Sequence, residues 1–281
     1  MSIIHGDCLE VLPTLEAGIA TTFFDPPFNQ GKDYVWTNDN KSEVEYWSWI
    51  RKVCRGIRNI TLEGGAIFFM QREKNLHSVV EALNSTGWNC KNIIIWKKLL
   101  PSVPIKTNFS MQYQVLVYAI KGDIPRVFNI LRIDYPLLPH QKEERPNGLV
   151  VTNIWDDIRE LSAGFLSGSE AFRDDLGARI HLQQAPIQLL LRIILSSTKI
   201  GDIVLDPTCG SGTALVTAKR LNRQYVGIEI DSNHVELSKG RMDFTREEDD
   251  VKQYYSYYRF TENLEQIWGW KPNEFDMRRV F

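Results

Sequence analysis

VLDPTCGSGTAL, residues 204–215, reads as an apolar strand, a tight glycine turn and the first turn of a helix. The strand ends at Asp206. Gly210 and Gly212 let backbone N–H groups come close to a ligand, and Thr213 opens a helix whose N-terminus favours negative charge. No Lys follows the second glycine, so this is not a P-loop, and the third spaced glycine of the dinucleotide fingerprint is missing. The next apolar run, QYVGIEI at 224–230, delivers Glu229 and Asp231 about one βαβ unit later. An acid there can accept hydrogen bonds from both hydroxyls of a ribose. A plain strand-to-helix turn followed by a surface acid is the competing reading. The succession of strand, glycine turn, helix and acid favours a cofactor loop.

Outward from this loop, apolar runs bounded by Gly, Pro or Asp predict strands at Ile19–Phe24, Ala66–Met70, Ile203–Leu205 and Tyr225–Ile230, with two more at Asn92–Lys97 and Gln114–Ile120. Helical spacing lies between them, at Val44–Ile60, Lys74–Ser85, Pro186–Ser197 and Thr213–Leu221. Strands alternating with helices imply an α/β fold with a parallel sheet covered on both faces. Residues 122–180 break the rhythm with Pro, Gly, Ser and charge, which predicts a loop-rich insert. The chain therefore divides into a first half (1–121), the insert (122–180), a second half (181–242) and an aromatic tail (243–281).

The 281 residues are 43% hydrophobic and 24% charged, which is globular composition and argues against disorder. No apolar run approaches the roughly 20 residues of a membrane-spanning helix, so no membrane association is expected. MSIIHGD lacks a basic region followed by an apolar stretch, so no signal peptide is expected. Cys8, Cys54, Cys90 and Cys209 form no CxxC pair, which points to reduced thiols in a cytoplasm and to no metal site. The net charge of −2 excludes a uniformly basic protein, but not a local basic patch.

The second motif is TTFFDPPF, residues 21–28. An apolar strand ends at Asp25, and Pro26 and Pro27 stiffen the turn and leave their carbonyls as acceptors. Phe28 adds an aromatic face. Carboxylate, carbonyl and ring together can hold a planar amino-bearing ring. Ligands of open α/β sheets sit beyond the carboxyl ends of the strands, so Asp25 and Asp206 can converge on one cleft.

DPPF followed much later by DPTCGSGT resembles the S-adenosylmethionine-dependent DNA amino methyltransferases of the β class, the N-4/N-6 DNA methylase family. The resemblance covers about residues 3–240. It implies a Rossmann-like methyltransferase fold, with a mixed, mostly parallel seven-stranded sheet flanked by helices and the insert as target-recognition region. It places Asp25, Pro26, Pro27 and Phe28 on the catalytic motif that holds a flipped base. Asp206, Pro207, Thr208, Gly210, Ser211, Gly212 and Thr213 fall on the methionine side of the cofactor site, Glu229 on the ribose and Asp7, in IHGDCLEVL, near the adenine. HLQQAP at 181–186 sits where the family often has a His-Pro-Thr-Gln-Lys-Pro run, so Gln184 is a cofactor candidate, while Ala185 replaces the lysine. His181 receives no metal role.

The implied activity is site-specific methyl transfer from S-adenosylmethionine to the exocyclic amino group of a flipped base in double-stranded DNA, as in restriction-modification systems. Asp at the head of the tetrapeptide leans toward adenine N6, and cytosine N4 is the alternative. A protein or small-molecule methyltransferase, a catalytically silent DNA-binding homologue and a nicotinamide-dependent oxidoreductase are the other classes. Residues 91–132 hold seven Lys or Arg against Asp123 alone, and Lys97, Lys98 and Lys106 are the candidate phosphate contacts. The expected setting is a prokaryotic-type cytoplasm, with nucleoid association through DNA. Oligomeric state stays open, a homodimer included.

Overall fold

The computed structural model describes residues 1–29, 41–103, 106–135, 145–161, 169–173, 177, 184–244 and 246–272, together with the backbone of 33–34 and 37–38. His181 lies outside the described residues. The strands are β1 (Ser2–His5), β2 (Ile19–Phe24), β3 (Asp33–Tyr34), β4 (Thr37–Asn38), β5 (Thr61–Gln71), β6 (Trp88–Lys97), β7 (Tyr113–Lys121), β8 (Arg132–Ile133), β9 (Leu149–Val150), β10 (Ile154–Trp155), β11 (Ile203–Asp206) and β12 (Gln224–Glu229). The helices are α1 (Cys8–Val11), α2 (Glu43–Ile60), α3 (Leu76–Ser85), α4 (Ile187–Ser197), α5 (Thr213–Arg220), α6 (Ser232–Asp243) and α7 (Leu264–Trp268).

Eight strands form one mixed sheet in the order β1-β12-β11-β2-β5-β7-β6-β10. Only β7 runs against its neighbours in this sheet. The mostly parallel α/β architecture expected from the sequence is present, with eight strands where seven were expected. The extra edge strand, β10, is two residues long and comes from within the loop-rich stretch. So short a strand leaves no period in the sequence.

Every residue of β2 is buried, as a central strand covered on both faces requires. α2 is closed at its start by a capping box between Ser42 and Glu45, and its apolar stripe (Ile50, Val53, Ile57) packs on one face of the sheet. On the other face lies α4, apolar nearly all round because the sheet and the tail both cover it. Tyr255, Tyr258 and Trp268 of the tail join that core, and so do Leu131, Ile133, Trp155 and Ile158 of the insert. Two buried arginines fasten these segments. Arg192 of α4 pairs with Asp157, Tyr257 donates a hydroxyl bond to the same carboxylate, and Arg192 Nε donates to the Tyr258 hydroxyl. Arg223 donates to the carbonyls of Leu221 and Ile267, the latter in α7.

Candidate functional site

Five of the parallel strands (β1, β12, β11, β2 and β5) lie side by side, so their carboxyl ends share one edge. β2 delivers Asp25 there, β11 delivers Asp206, and β12 delivers Glu229. Asp7 follows β1 on the same edge and caps α1, its Oδ1 accepting from Leu9 N at 2.8 Å. The two sequence motifs meet directly. Thr208 Oγ1 donates to the backbone carbonyl of Asp25 at 3.2 Å, across 183 residues of chain.

The glycine loop is held from every side. Gly212 adopts φ +74°, a conformation that suits glycine, and a Cβ there would come within 3.0 Å of Ser238 Oγ. Gly227 of β12 lets the loop lie flat on the strand, because a Cβ there would meet Leu215 at 2.4 Å and Cys209 Sγ at 3.0 Å. Glu229 accepts from Gly210 N at 2.7 Å with one oxygen and from Asp231 N at 2.9 Å with the other. Asp206 accepts from Thr208 N at 3.2 Å. Ser211, Gly212 and Thr213 are buried, as is Pro207.

Three supports of this loop have no signal in the sequence reading. Ser238 of α6 donates to the Gly210 carbonyl at 2.6 Å. Arg241 of the same helix donates to Ser211 O at 2.8 Å and to Thr213 Oγ1 at 2.9 Å. Its charge is met by Asp249 of the tail at 3.0 and 2.7 Å, and both side chains are fully shielded from solvent. α6 has no apolar stripe to announce it. The two members of the ion pair look in the sequence like ordinary surface charges.

Gln184 lies beside this network, with its amide spent on backbone. Its Oε1 accepts from Phe172 N and its Nε2 donates to Glu170 O. Glu170 accepts from Ile187 N at 2.7 Å, and burial pushes its carboxyl up to about 7. Arg246 stacks over Phe172 at 3.9 Å.

The Asp25 turn is braced at its backbone and left open at its acid. Tyr46 of α2 donates its hydroxyl to Pro27 O at 2.8 Å and accepts from Gln71 Nε2 of β5 at 2.9 Å. Asn29, at φ +54°, pairs its amide with the backbone of Lys41 in both directions, at 2.8 Å each. Phe28 is only 4% exposed. Asp25 Oδ1 is shielded from solvent and makes no hydrogen bond among the described residues. Burial and the nearby Asp206 raise the Asp25 pKa well above the carboxylate range, against the opposing charge of Lys98. Asp206 is pushed up to about 8, by burial and by Glu229, with the Thr208 amide opposing.

The three candidate lysines therefore differ. Lys97 and Lys106 are exposed, whereas Lys98 is half-buried with its ammonium 5.1 Å from the Trp96 ring and acts on Asp25. Cys209 is buried, and burial with the neighbouring acids raises its thiol pKa, which disfavours a thiolate there. Among the described residues no group of His, Cys, Asp or Glu is placed to hold a metal ion, and no helix is long and apolar enough to cross a membrane.

The sequence model of a family described as DNA methylase matches residues 19–240. The Type II methyltransferase M.BamHI of Bacillus amyloliquefaciens is 29% identical over 253 residues, which is 85% of this chain and 56% of that protein. The chain thus spans little more than half the length of this relative. Two solved structures share the fold. PvuII DNA methyltransferase, described as cytosine-N4-specific, superposes with a TM-score of 0.63 at 16% identity, covering 94% of this chain and 93% of that one. The M1.HpyAVI-SAM complex gives 0.59 at 21% identity, covering 86% and 99%.

Proposed function

The chain belongs to the DNA methylase family, and from that premise we propose that it transfers a methyl group from S-adenosylmethionine to the exocyclic amino nitrogen of a base flipped out of double-stranded DNA. The observation that carries this is the junction of the two motifs. The Thr208–Asp25 hydrogen bond sets the glycine loop against a buried carboxylate whose Oδ1 has no partner among the described residues.

The donor set suits the cofactor. Asp25, Asp206 and Glu229 are acids crowded at one end of the sheet, coupled in succession by repulsion. A ligand bearing sulfonium and ammonium charges relieves that repulsion. Glu229 has spent one lone pair of each oxygen on backbone N–H groups and keeps others for ribose hydroxyls. Asp206, Pro207, Thr208, Gly210, Ser211, Gly212 and Thr213 form the wall on the methionine side, and Asp7 stands nearest the adenine. Gln184 acts on this wall through the 170–172 segment. S-adenosylmethionine supplies, when bound, an electrophilic methyl group on sulfur.

An exocyclic amino nitrogen is a poor nucleophile, because its lone pair is delocalised into the ring. Asp25 and the Pro26 carbonyl accept its two N–H bonds and favour a more tetrahedral nitrogen with a localised lone pair. As the nitrogen gains its bond to the methyl carbon, the carbon–sulfur bond would break and the nitrogen would lose one proton, which the ionised Asp25 carboxylate would accept. Orientation and electrostatics supply most of the effect. A base inside a duplex cannot reach this edge, so it must flip out.

Adenine N6 is the preferred target, on Asp25 at the head of the tetrapeptide, and cytosine N4 is the second reading, the specificity described for one protein that shares the fold. Unmethylated DNA incubated with the protein and S-adenosylmethionine, then digested to nucleosides for mass spectrometry, tests both. N6-methyladenine is expected. N4-methylcytosine would overturn the choice of base. Absence of both products, with DNA still bound, would leave a silent DNA-binding homologue.

A further inference from the structure

β6 runs antiparallel to β7, which runs antiparallel to β5, so β6 ends on the same edge of the sheet as β2 and its Asp25. The connection from β6 to β7, residues 98–112, therefore rises from the catalytic edge, three strands from Asp25, a lateral distance of about 14 Å. Its root is fixed. Lys98 N donates to Gln112 O at 2.7 Å, and the Glu160 carboxylate accepts from Leu99 N at 2.8 Å and Leu100 N at 3.1 Å. Among the described residues the outermost cross-link is between Ser102 and Met111, at 2.7 and 2.8 Å.

Beyond that cross-link stand Val103, 84% exposed, and Phe109, 90% exposed, the latter the most exposed large apolar residue among those described. Lys106 lies between them in sequence and is exposed. Residues 91–122 contain five lysines and neither Asp nor Glu. An aromatic ring exposed to water beside lysines, on a connection with a fixed root and no acid of its own, matches a polyanion that offers an apolar slot. Duplex DNA offers such a slot between base pairs, or in the gap that a flipped base leaves behind.

We propose that Phe109 is a positioning residue that enters the base stack of duplex DNA and fills the space vacated by the target base, with Lys106 and Lys97 on the flanking phosphates. This rests on the base-flipping reading above. The ring would replace stacking lost on extrusion and oppose return of the base, so its benefit falls on targets that are costly to extrude.

The test uses oligonucleotide duplexes carrying the mapped target site, with the target base either correctly paired or opposite an abasic site. The protein is compared with Phe109→Ala and Phe109→Trp. Phe109→Ala is expected to lower kcat/KM on the paired duplex about tenfold or more, and by less than about twofold opposite the abasic site. Phe109→Trp is expected to restore the paired rate, with thermal stability unchanged in both variants. Equal loss on the two duplexes, or no loss, would overturn the proposal. So would a change in sedimentation of Phe109→Ala without DNA, which would make the tip a contact between copies of this chain. If the unaltered protein methylates neither duplex, the failure belongs to the methyl-transfer reading and not to Phe109.

Discussion

The glycine loop and the Asp25 turn meet at one edge of the sheet, joined by the Thr208–Asp25 hydrogen bond, and their internal accounting is opposite. In the loop, Glu229, Ser238 and the Arg241–Asp249 pair meet the backbone of residues 210–213. In the turn, Tyr46 and Asn29 hold the backbone, while the carboxylate itself is buried with an oxygen that has no partner among the described residues. A group that binds gains from being fixed before the ligand arrives. A group that must bond to a changing substrate has to keep its valence free, at a cost in stability.

The widest separation between the two regions comes from paired lesions. Asp25→Ala should lower kcat by about a thousandfold or more while leaving cofactor affinity nearly intact. Gly210→Asp should abolish cofactor binding, because it sets bulk and a third charge beside Glu229 and Asp206. Calorimetry with S-adenosylmethionine and a methyl-transfer assay separate the two outcomes. If Asp25→Ala keeps near-normal turnover, the turn is not the reacting end.

A smaller effect should come from the support behind the loop. Breaking a buried ion pair by removing one partner costs about 3–5 kcal/mol. Arg241→Met and Asp249→Asn should therefore lower the unfolding midpoint, and should raise the KM for S-adenosylmethionine about tenfold with kcat little changed. The double variant Arg241→Met/Asp249→Leu should recover part of the stability but not the KM. A kcat loss as large as the KM effect would mean that the pair also serves the reacting end.

A pH dependence is expected as well. Asp206 titrates near 8 in the folded chain against 3.8 as its ordinary value. Between those values the folded state holds a proton that the unfolded state has released. Stability of the free protein should then fall as pH rises across that interval, and Asp25, raised in the same direction, adds to the fall. Glu170, near 7, adds to the same fall. Asp157 has the opposite sign. Its bonds to Arg192 and Tyr257 outweigh burial and depress its pKa, so its contribution is present near neutrality and is lost in acid. Urea midpoints from pH 5 to 8 for the chain and for Asp206→Asn measure this. An unchanged slope in the variant would remove Asp206 from the account.

The motif residues were legible because each carries a constraint visible in one dimension: glycines at a turn, prolines after an acid, an acid ending a strand. β2, β5, β6, β7, β11 and β12 were legible through their apolar runs. α6 and its Ser238 and Arg241 were not, because the helix is polar along most of its length and its partners come from residues 210–213 and 249. Lys98 was read with Lys97 and Lys106 as one basic run. The fold brings its charge within electrostatic reach of Asp25, which a count of charges cannot register. Tyr46 and Gln71 were hidden for a simpler reason: in sequence they are one more aromatic on an amphipathic helix and one polar end of a strand.

The pairing of β2 with β11 bears on how the chain is made. Strand β2 lies beside β11 in the sheet, although about 180 residues of synthesis separate them. At 5–20 residues per second, the central strand waits roughly 10–40 seconds on the ribosome for its neighbour. β1 waits longer still for β12. Such long-range pairing folds slowly. The half that carries Asp25 is thus complete as a sequence long before it can be a site, and the nascent polypeptide has no competent cleft until the last support of the glycine loop, Asp249, has emerged.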